Sequence, residues 1–98
     1  MEIQVLKNEN IVINIKGRLD TTSSPILNQK IQEIEIDKDL VIIDFKELDY
    51  ISSAGLRVLL AIKNMLEEKG KTLEIHNVNE VITEVFSVTG FDNILNIK

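Results

Sequence analysis

Leu40-Val41-Ile42-Ile43 constrains the fold of this chain more than any other segment, because three of its four residues are β-branched and it is apolar on both faces of a pleat. Such a run is too short for a helix and predicts a central, buried, parallel strand. The flanking patterns say what surrounds it. Ile3 and Val5 alternate with Glu2 and Gln4, and beyond Lys7-Asn8-Glu9-Asn10 the residues Ile11, Ile13 and Ile15 alternate with Val12 and Asn14. Two strands about a polar turn predict a hairpin. Gly17-Arg18-Leu19-Asp20 ends the second strand. Ser24 is then suited to an N-cap and Pro25 to the first helical position, and Leu27, Ile31 and Ile34 form one stripe that fades at Asp37-Lys38-Asp39.

After the apolar strand, Asp44 is expected at its end. Ser52-Ser53-Ala54-Gly55 precedes a long amphipathic helix beginning near Ala54, whose apolar face is Leu56, Leu59, Leu60, Ile62, Met65 and Leu66, with Gly70 at its C-terminal cap. Leu73 and Ile75 predict a short strand, and Asn79 caps a third helix presenting Ile82, Val85 and Phe86 and stopped by Gly90; Phe91, Ile94, Leu95 and Ile97 close the chain. The order strand, strand, helix, strand, helix, strand, helix holds two βαβ crossovers. It predicts an α/β fold with a mixed, mainly parallel sheet, an antiparallel N-terminal hairpin at one edge, and helices laid against it.

At 98 residues, one domain spanning 1–98 is expected, and 44% hydrophobic residues suffice for its core. Eleven Lys and Arg against sixteen Asp and Glu give a net charge of −5, so the overall field repels phosphate backbones and anionic lipid. Neither nucleic acid nor a membrane is an expected partner. The absence of Cys excludes disulfides, thiolate nucleophiles and Cys-ligated zinc, and a single His leaves few routes to another transition-metal site. No metal and no cofactor are expected. The apolar stretches Leu40–Ile43 and Val58–Ile62 are far shorter than the roughly 20 residues of a membrane helix, and no basic-then-apolar leader opens the chain, so a cytoplasmic location is expected.

Several residues could carry chemistry. Ser52 and Ser53 lie just ahead of the longest helix, where the ordinary role is to cap it. The same geometry would accommodate a phosphate, since a helix N-terminus offers free N–H donors and the positive end of the dipole. Gly70-Lys71-Thr72 looks like the tail of a nucleotide-binding loop, but Met65 stands where the first glycine is required, and this glycine ends a helix instead of opening one. Asp44 sits where a receiver domain holds its phosphoacceptor, yet the chain opens on a hairpin and lacks the accompanying acidic pair and late lysine. A Ser-His-Asp triad exists only as a count of residues, because Ile51 occupies the first glycine position of a nucleophile elbow. No catalytic residue is expected.

One stretch has a family likeness. Asp44-Phe45-Lys46-Glu47-Leu48-Asp49-Tyr50-Ile51-Ser52-Ser53-Ala54-Gly55-Leu56-Arg57-Val58-Leu59-Leu60 resembles the signature of the STAS domain, in particular that of bacterial anti-sigma factor antagonists. Gly17-Arg18-Leu19-Asp20 looks like that family's turn after the second strand, and Phe86-Ser87-Val88-Thr89-Gly90-Phe91 like its closing motif. The resemblance implies the STAS fold and a cytoplasmic switch protein, expected as a monomer, that is not an enzyme. In such a circuit the unphosphorylated antagonist binds an anti-sigma factor that is also a serine kinase, and so frees a sigma factor; phosphorylation ends the binding and a PP2C-type phosphatase restores it.

Alignment on Gly55-Leu56 puts the family's phosphoacceptor on Ser53, and Ser52 where the family commonly has aspartate. The partner surface implied comprises Asp20, Thr21, Thr22, Ser23 and Ser24 together with Ser52, Ser53, Ala54, Gly55 and Arg57. The alternative within the same fold is an interaction module of another kind, such as a stressosome-like scaffold component or a transport-system subunit.

Overall fold

The computed structural model describes residues 1–98. Its elements are β1 (Glu2–Lys7), β2 (Ile11–Leu19), α1 (Ser24–Glu33), β3 (Leu40–Ile51), α2 (Ser53–Glu68), β4 (Thr72–His76), α3 (Glu80–Thr89), a 3-10 turn at Phe91–Asn93, and β5 (Asn96–Ile97). One five-stranded sheet runs in the order β1-β2-β3-β4-β5, antiparallel between β1 and β2 and parallel elsewhere. The mixed α/β architecture with an N-terminal hairpin is the one expected.

Because β2 to β5 step across the sheet in a single direction, crossovers of one hand bring all three helices to the same face. The burial pattern follows that rule. Ile11, Ile13, Ile15, Val41, Ile43, Phe45, Leu73 and Ile75 share one cluster with Leu27 and Ile31 of α1, with Leu56, Leu59, Ile62 and Leu66 of α2, and with Ile82 and Phe86 of α3. Phe45 and Phe86 meet with ring centroids 6.1 Å apart. On the opposite face the row Gln4, Asn14, Asp44 and His76 runs across four strands in register. These four are half-buried or exposed. Ile42, the apolar residue of the central run that points to this open face, is flanked in register by Val12 and Glu74. It is shielded by strand neighbours where the sequence suggests a buried environment on both sides.

Three local expectations are corrected. First, β3 continues to Ile51, so Asp44 lies inside the strand and not at its end. The pairing advances from Asn14↔Asp44 to Lys16↔Glu47 and from Gly17↔Leu48 to Arg18↔Tyr50, so β3 carries one extra residue at each step. Bulges of this kind break the period-two alternation. At the first of them the Asp44 carboxylate accepts the Lys46 N–H at 2.9 Å and two bonds from the Asn77 side-chain amide.

Second, Ser24 is the first residue of α1 and not its N-cap, a position held by Ser23. No side chain caps α1; Asp20 instead orders the turn before it, where Oδ1 accepts the N–H groups of Thr22 and Ser23 at 3.1 and 3.0 Å, and the Asp20 carbonyl accepts the Ser24 N–H at 2.8 Å. Third, Asn96 and Ile97 pair with Glu74 and Ile75 as a fifth strand, which at two residues is too short to show an alternation.

The start of α2 is fixed by backbone contact. Ser52 donates its N–H to the Leu19 carbonyl at 2.9 Å. Gly55 packs into the same place: a Cβ there would lie 2.7 Å from the Leu19 oxygen and 2.7 Å from Ile51 Cγ1. At the other end, Gly70 has φ +73, and the Lys71 and Gly70 N–H groups bond to the Leu66 and Glu67 carbonyls at 2.8 and 3.0 Å, a Schellman termination. Gly→Ala inside a helix ordinarily stabilises by up to about 1 kcal/mol, so the sign of Gly55→Ala is diagnostic. We expect it to destabilise by about 1–3 kcal/mol, as overpacking does, lowering the thermal midpoint by at least roughly 4 °C. A midpoint unchanged or raised in a melting experiment would contradict the close approach to Leu19.

Candidate functional site

The loop after β2 and the start of α2 lie side by side at the carboxyl ends of adjacent parallel strands, the edge at which open α/β sheets place their sites. Leu19 and Ile51, the last residues of β2 and β3, are paired. The Ser52–Leu19 hydrogen bond then sets Asp20 beside the Ser52-Ser53 step.

The two serines have different roles. Ser52 is the N-cap of α2, with extended backbone, and its hydroxyl accepts the Gly55 N–H at 3.4 Å. Ser53 is the first helical residue; it is exposed, and its hydroxyl takes no part in the cap. One residue thus serves the fold and the next is left available. Arg57, one turn further along α2, is exposed as well. Ala54 is half-buried and Gly55 fully buried against Leu19.

The adjoining loop is built by Asp20. Its Oδ1 gathers the two loop N–H groups already described, and the Ser23 hydroxyl donates to the Arg18 carbonyl at 2.6 Å while accepting the Asp20 N–H at 2.9 Å. The bond from the Ser23 backbone, aided by the Ser23 hydroxyl, the Thr22 N–H and the nearby Arg18, holds the Asp20 carboxyl below its ordinary pKa. A lowered carboxylate pKa means that the loop-forming bonds are fully present above the ordinary value and are lost only as pH falls through the lowered one.

Of the five loop residues expected at the partner surface, Thr21 and Thr22 are exposed and Asp20 is half-buried. Ser23 and Ser24 are turned inward at 6% and 5% exposure. Two residues at this edge were not singled out in the sequence. Arg18 and Tyr50 are register partners, and the guanidinium carbon lies 4.1 Å from the ring centroid. Arg18 Nε is also 3.6 Å from Asp20 Oδ2. The signal for them was available: each immediately precedes the apolar residue that ends its strand. His76, the single histidine of the chain, has its Nε2 2.9 Å from Glu74 Oε1. No helix of the structure is long and apolar enough to cross a membrane.

A one-sided sheet that presents an exposed serine at a helix start, beside a loop ordered by aspartate, defines a class of small α/β domain whose site is a surface edge. Residues 2–98 match the sequence profile of the STAS domain, and the chain belongs to that family. It is 31% identical over 99 aligned residues to the anti-sigma-B factor antagonist of Bacillus subtilis, covering 100% of this chain and 91% of that protein. Among solved structures, an anti-sigma factor antagonist from Mycobacterium paratuberculosis superposes with a TM-score of 0.85 at 20% identity, covering 98% of this chain and 83% of that one. The unphosphorylated form of the anti-sigma factor antagonist SpoIIAA gives 0.72 at 21% identity over 99% of this chain and 87% of its own, and a Bacillus SpoIIAA in its phosphorylated form gives 0.70 at 21% identity over 99% of this chain and 91% of that one. The structural likenesses establish the fold. The name of the Bacillus subtilis relative describes an antagonist of a regulator.

The division between the two serines is measurable. Ser52→Ala removes a cap whose contribution lies within about 0.5–2 kcal/mol, and the 3.4 Å length of the bond places it in the lower half of that range. Ser53→Ala should leave stability within about ±0.5 kcal/mol. Equilibrium denaturation of both variants checks this, and a larger loss for Ser53→Ala would contradict the assignment of the cap.

Proposed function

We propose that this protein is an anti-sigma factor antagonist whose 98 residues act as one STAS unit in the cytoplasm, as a monomer and without catalytic activity of its own. The unphosphorylated form binds an anti-sigma factor with serine-kinase activity and so releases a sigma factor. Transfer of phosphate to Ser53 switches the binding off, and a PP2C-type phosphatase restores it. The observation that carries the reading is the exposed hydroxyl of Ser53 at the start of α2, next to a serine already engaged as the cap. The 31% identity to an anti-sigma-B factor antagonist over the whole chain supports the same reading.

The exposed position of Ser53 supports such a switch. The partner surface proposed is Asp20, Thr21, Thr22, Ser52, Ser53, Ala54, Gly55 and Arg57, with the inward-turned Ser23 and Ser24 bracing it from beneath. A phosphate on Ser53 adds about −1.5 to −2 charges where a partner previously met a small hydroxyl. The interface must then accommodate a dianion close to Asp20, on a chain already at −5. Close contact is lost and affinity falls.

With a cognate anti-sigma kinase and ATP, Ser53→Ala should abolish phosphate incorporation and Ser52→Ala only reduce it. Phosphopeptide mapping that placed the phosphate on Ser52 or within the Asp20–Ser24 loop would overturn the assignment.

A further inference from the structure

We infer that Arg57 is the residue that holds the phosphate once Ser53 carries it, an inference that rests on the reading of Ser53 as phosphoacceptor. Ser53 and Arg57 stand at i and i+4 of α2, both exposed. Residues so spaced are neighbours on a helix surface, with Cβ atoms roughly 5–6 Å apart. Long side chains on a helix lean toward its N-terminus, which directs the guanidinium of Arg57 back over the first turn. A phosphoserine there offers acceptor oxygens in the arrangement that a guanidinium recognises through paired N–H groups.

Arg57 is also free to do so. Its neighbours on the helix at three and four residues either way are Ser53, Ala54, Leu60 and Ala61, none of them acidic. It forms no ion pair in the unphosphorylated protein, whereas Arg18 lies against Asp20, Lys7 against Asp37, Lys16 against Glu2 and Glu47, Lys63 against Glu67 and Lys71 against Asp39. The other arginine at this edge, Arg18, is further occupied by the Tyr50 ring. An unpaired guanidinium one turn from the modified serine, on a chain with net charge −5, is the local cation a new dianion would find. Held there, the phosphate is fixed on the surface of α2 and partly screened from Asp20.

The test uses the full chain with phosphoserine installed at position 53 during translation, so that no kinase is needed. The probe is the second ionisation of the phosphate followed by phosphorus NMR across pH. A bound guanidinium favours the dianion, so the parent phosphoprotein should titrate below the ordinary value of about 6. Arg57→Ala should raise the midpoint by at least about 0.5 unit, a threefold change in the acid constant. Arg57→Lys should restore part of the difference, and Arg18→Gln should leave the midpoint within about 0.2 unit of the parent. An Arg57→Ala midpoint equal to the parent's, or a larger shift from Arg18→Gln, would overturn the clamp. Failure of the phosphoacceptor reading shows separately, as kinase labelling at another residue while the installed phosphate still responds to Arg57.

Discussion

The carbonyl of Leu19 is the contact on which the site depends. It closes β2, accepts the Ser52 N–H at 2.9 Å, and leaves room for Gly55 only because that residue has no Cβ. Both groups that touch the oxygen are backbone, so neither can swing away to relieve a clash, and interiors packed to crystal density do not yield easily. The first turn of α2 is therefore seated against the end of the sheet. The position of every side chain in that turn follows, including the outward direction of Ser53.

From that seat the division of labour between the serines has a physical cause. The residue that enters the helix with extended backbone can turn its hydroxyl to a free N–H of the first turn, and Ser52 has that backbone. The next residue already has helical geometry, so its side chain projects from the helix surface. In the neighbouring loop, the Asp20 carboxylate gathers the N–H groups of the turn that leads into α1, and the Ser23 hydroxyl braces that turn from inside. The edge thus combines a rigid backbone with a small set of outward groups. Such a surface can recognise a partner closely and be altered by one added charge without rearrangement of the core.

Much of the architecture was legible in the sequence because its signals are local. The alternation of Ile11, Ile13 and Ile15 gave β2 its inward face, Asn79 capped α3 as expected through the Ile82 N–H at 2.9 Å, and Gly70 and Gly90 ended their helices. The second half of β3 was hidden because two bulges disrupt its period, and β5 because a two-residue pairing carries no period at all. The turn-ordering role of Asp20 was missed since Asp20, Ser23 and Ser24 are all residues that favour turns and caps, and which one serves depends on the fold of the turn. At the site, the family likeness pointed to Ser53, but either serine could cap from spacing alone. What separated them was backbone conformation, which residue type does not encode.

The account's central claim is that modification of Ser53 changes a surface and leaves the fold intact. A phosphate at the first turn of α2 gains about 0.3–1 kcal/mol from the helix dipole, against repulsion from Asp20 that water and salt screen. These effects are of similar size, and about 1 kcal/mol moves the midpoint of a domain this small by roughly 4–8 °C. Thermal melting and calorimetric titration with the partner, run on one sample of protein phosphorylated at Ser53, test the claim directly. We predict a midpoint within about 8 °C of the unmodified protein, unchanged helical circular dichroism, and an affinity at least about tenfold lower, or roughly 1.4 kcal/mol. Loss of the cooperative transition or of the helical signal would make the switch an unfolding event and contradict the account.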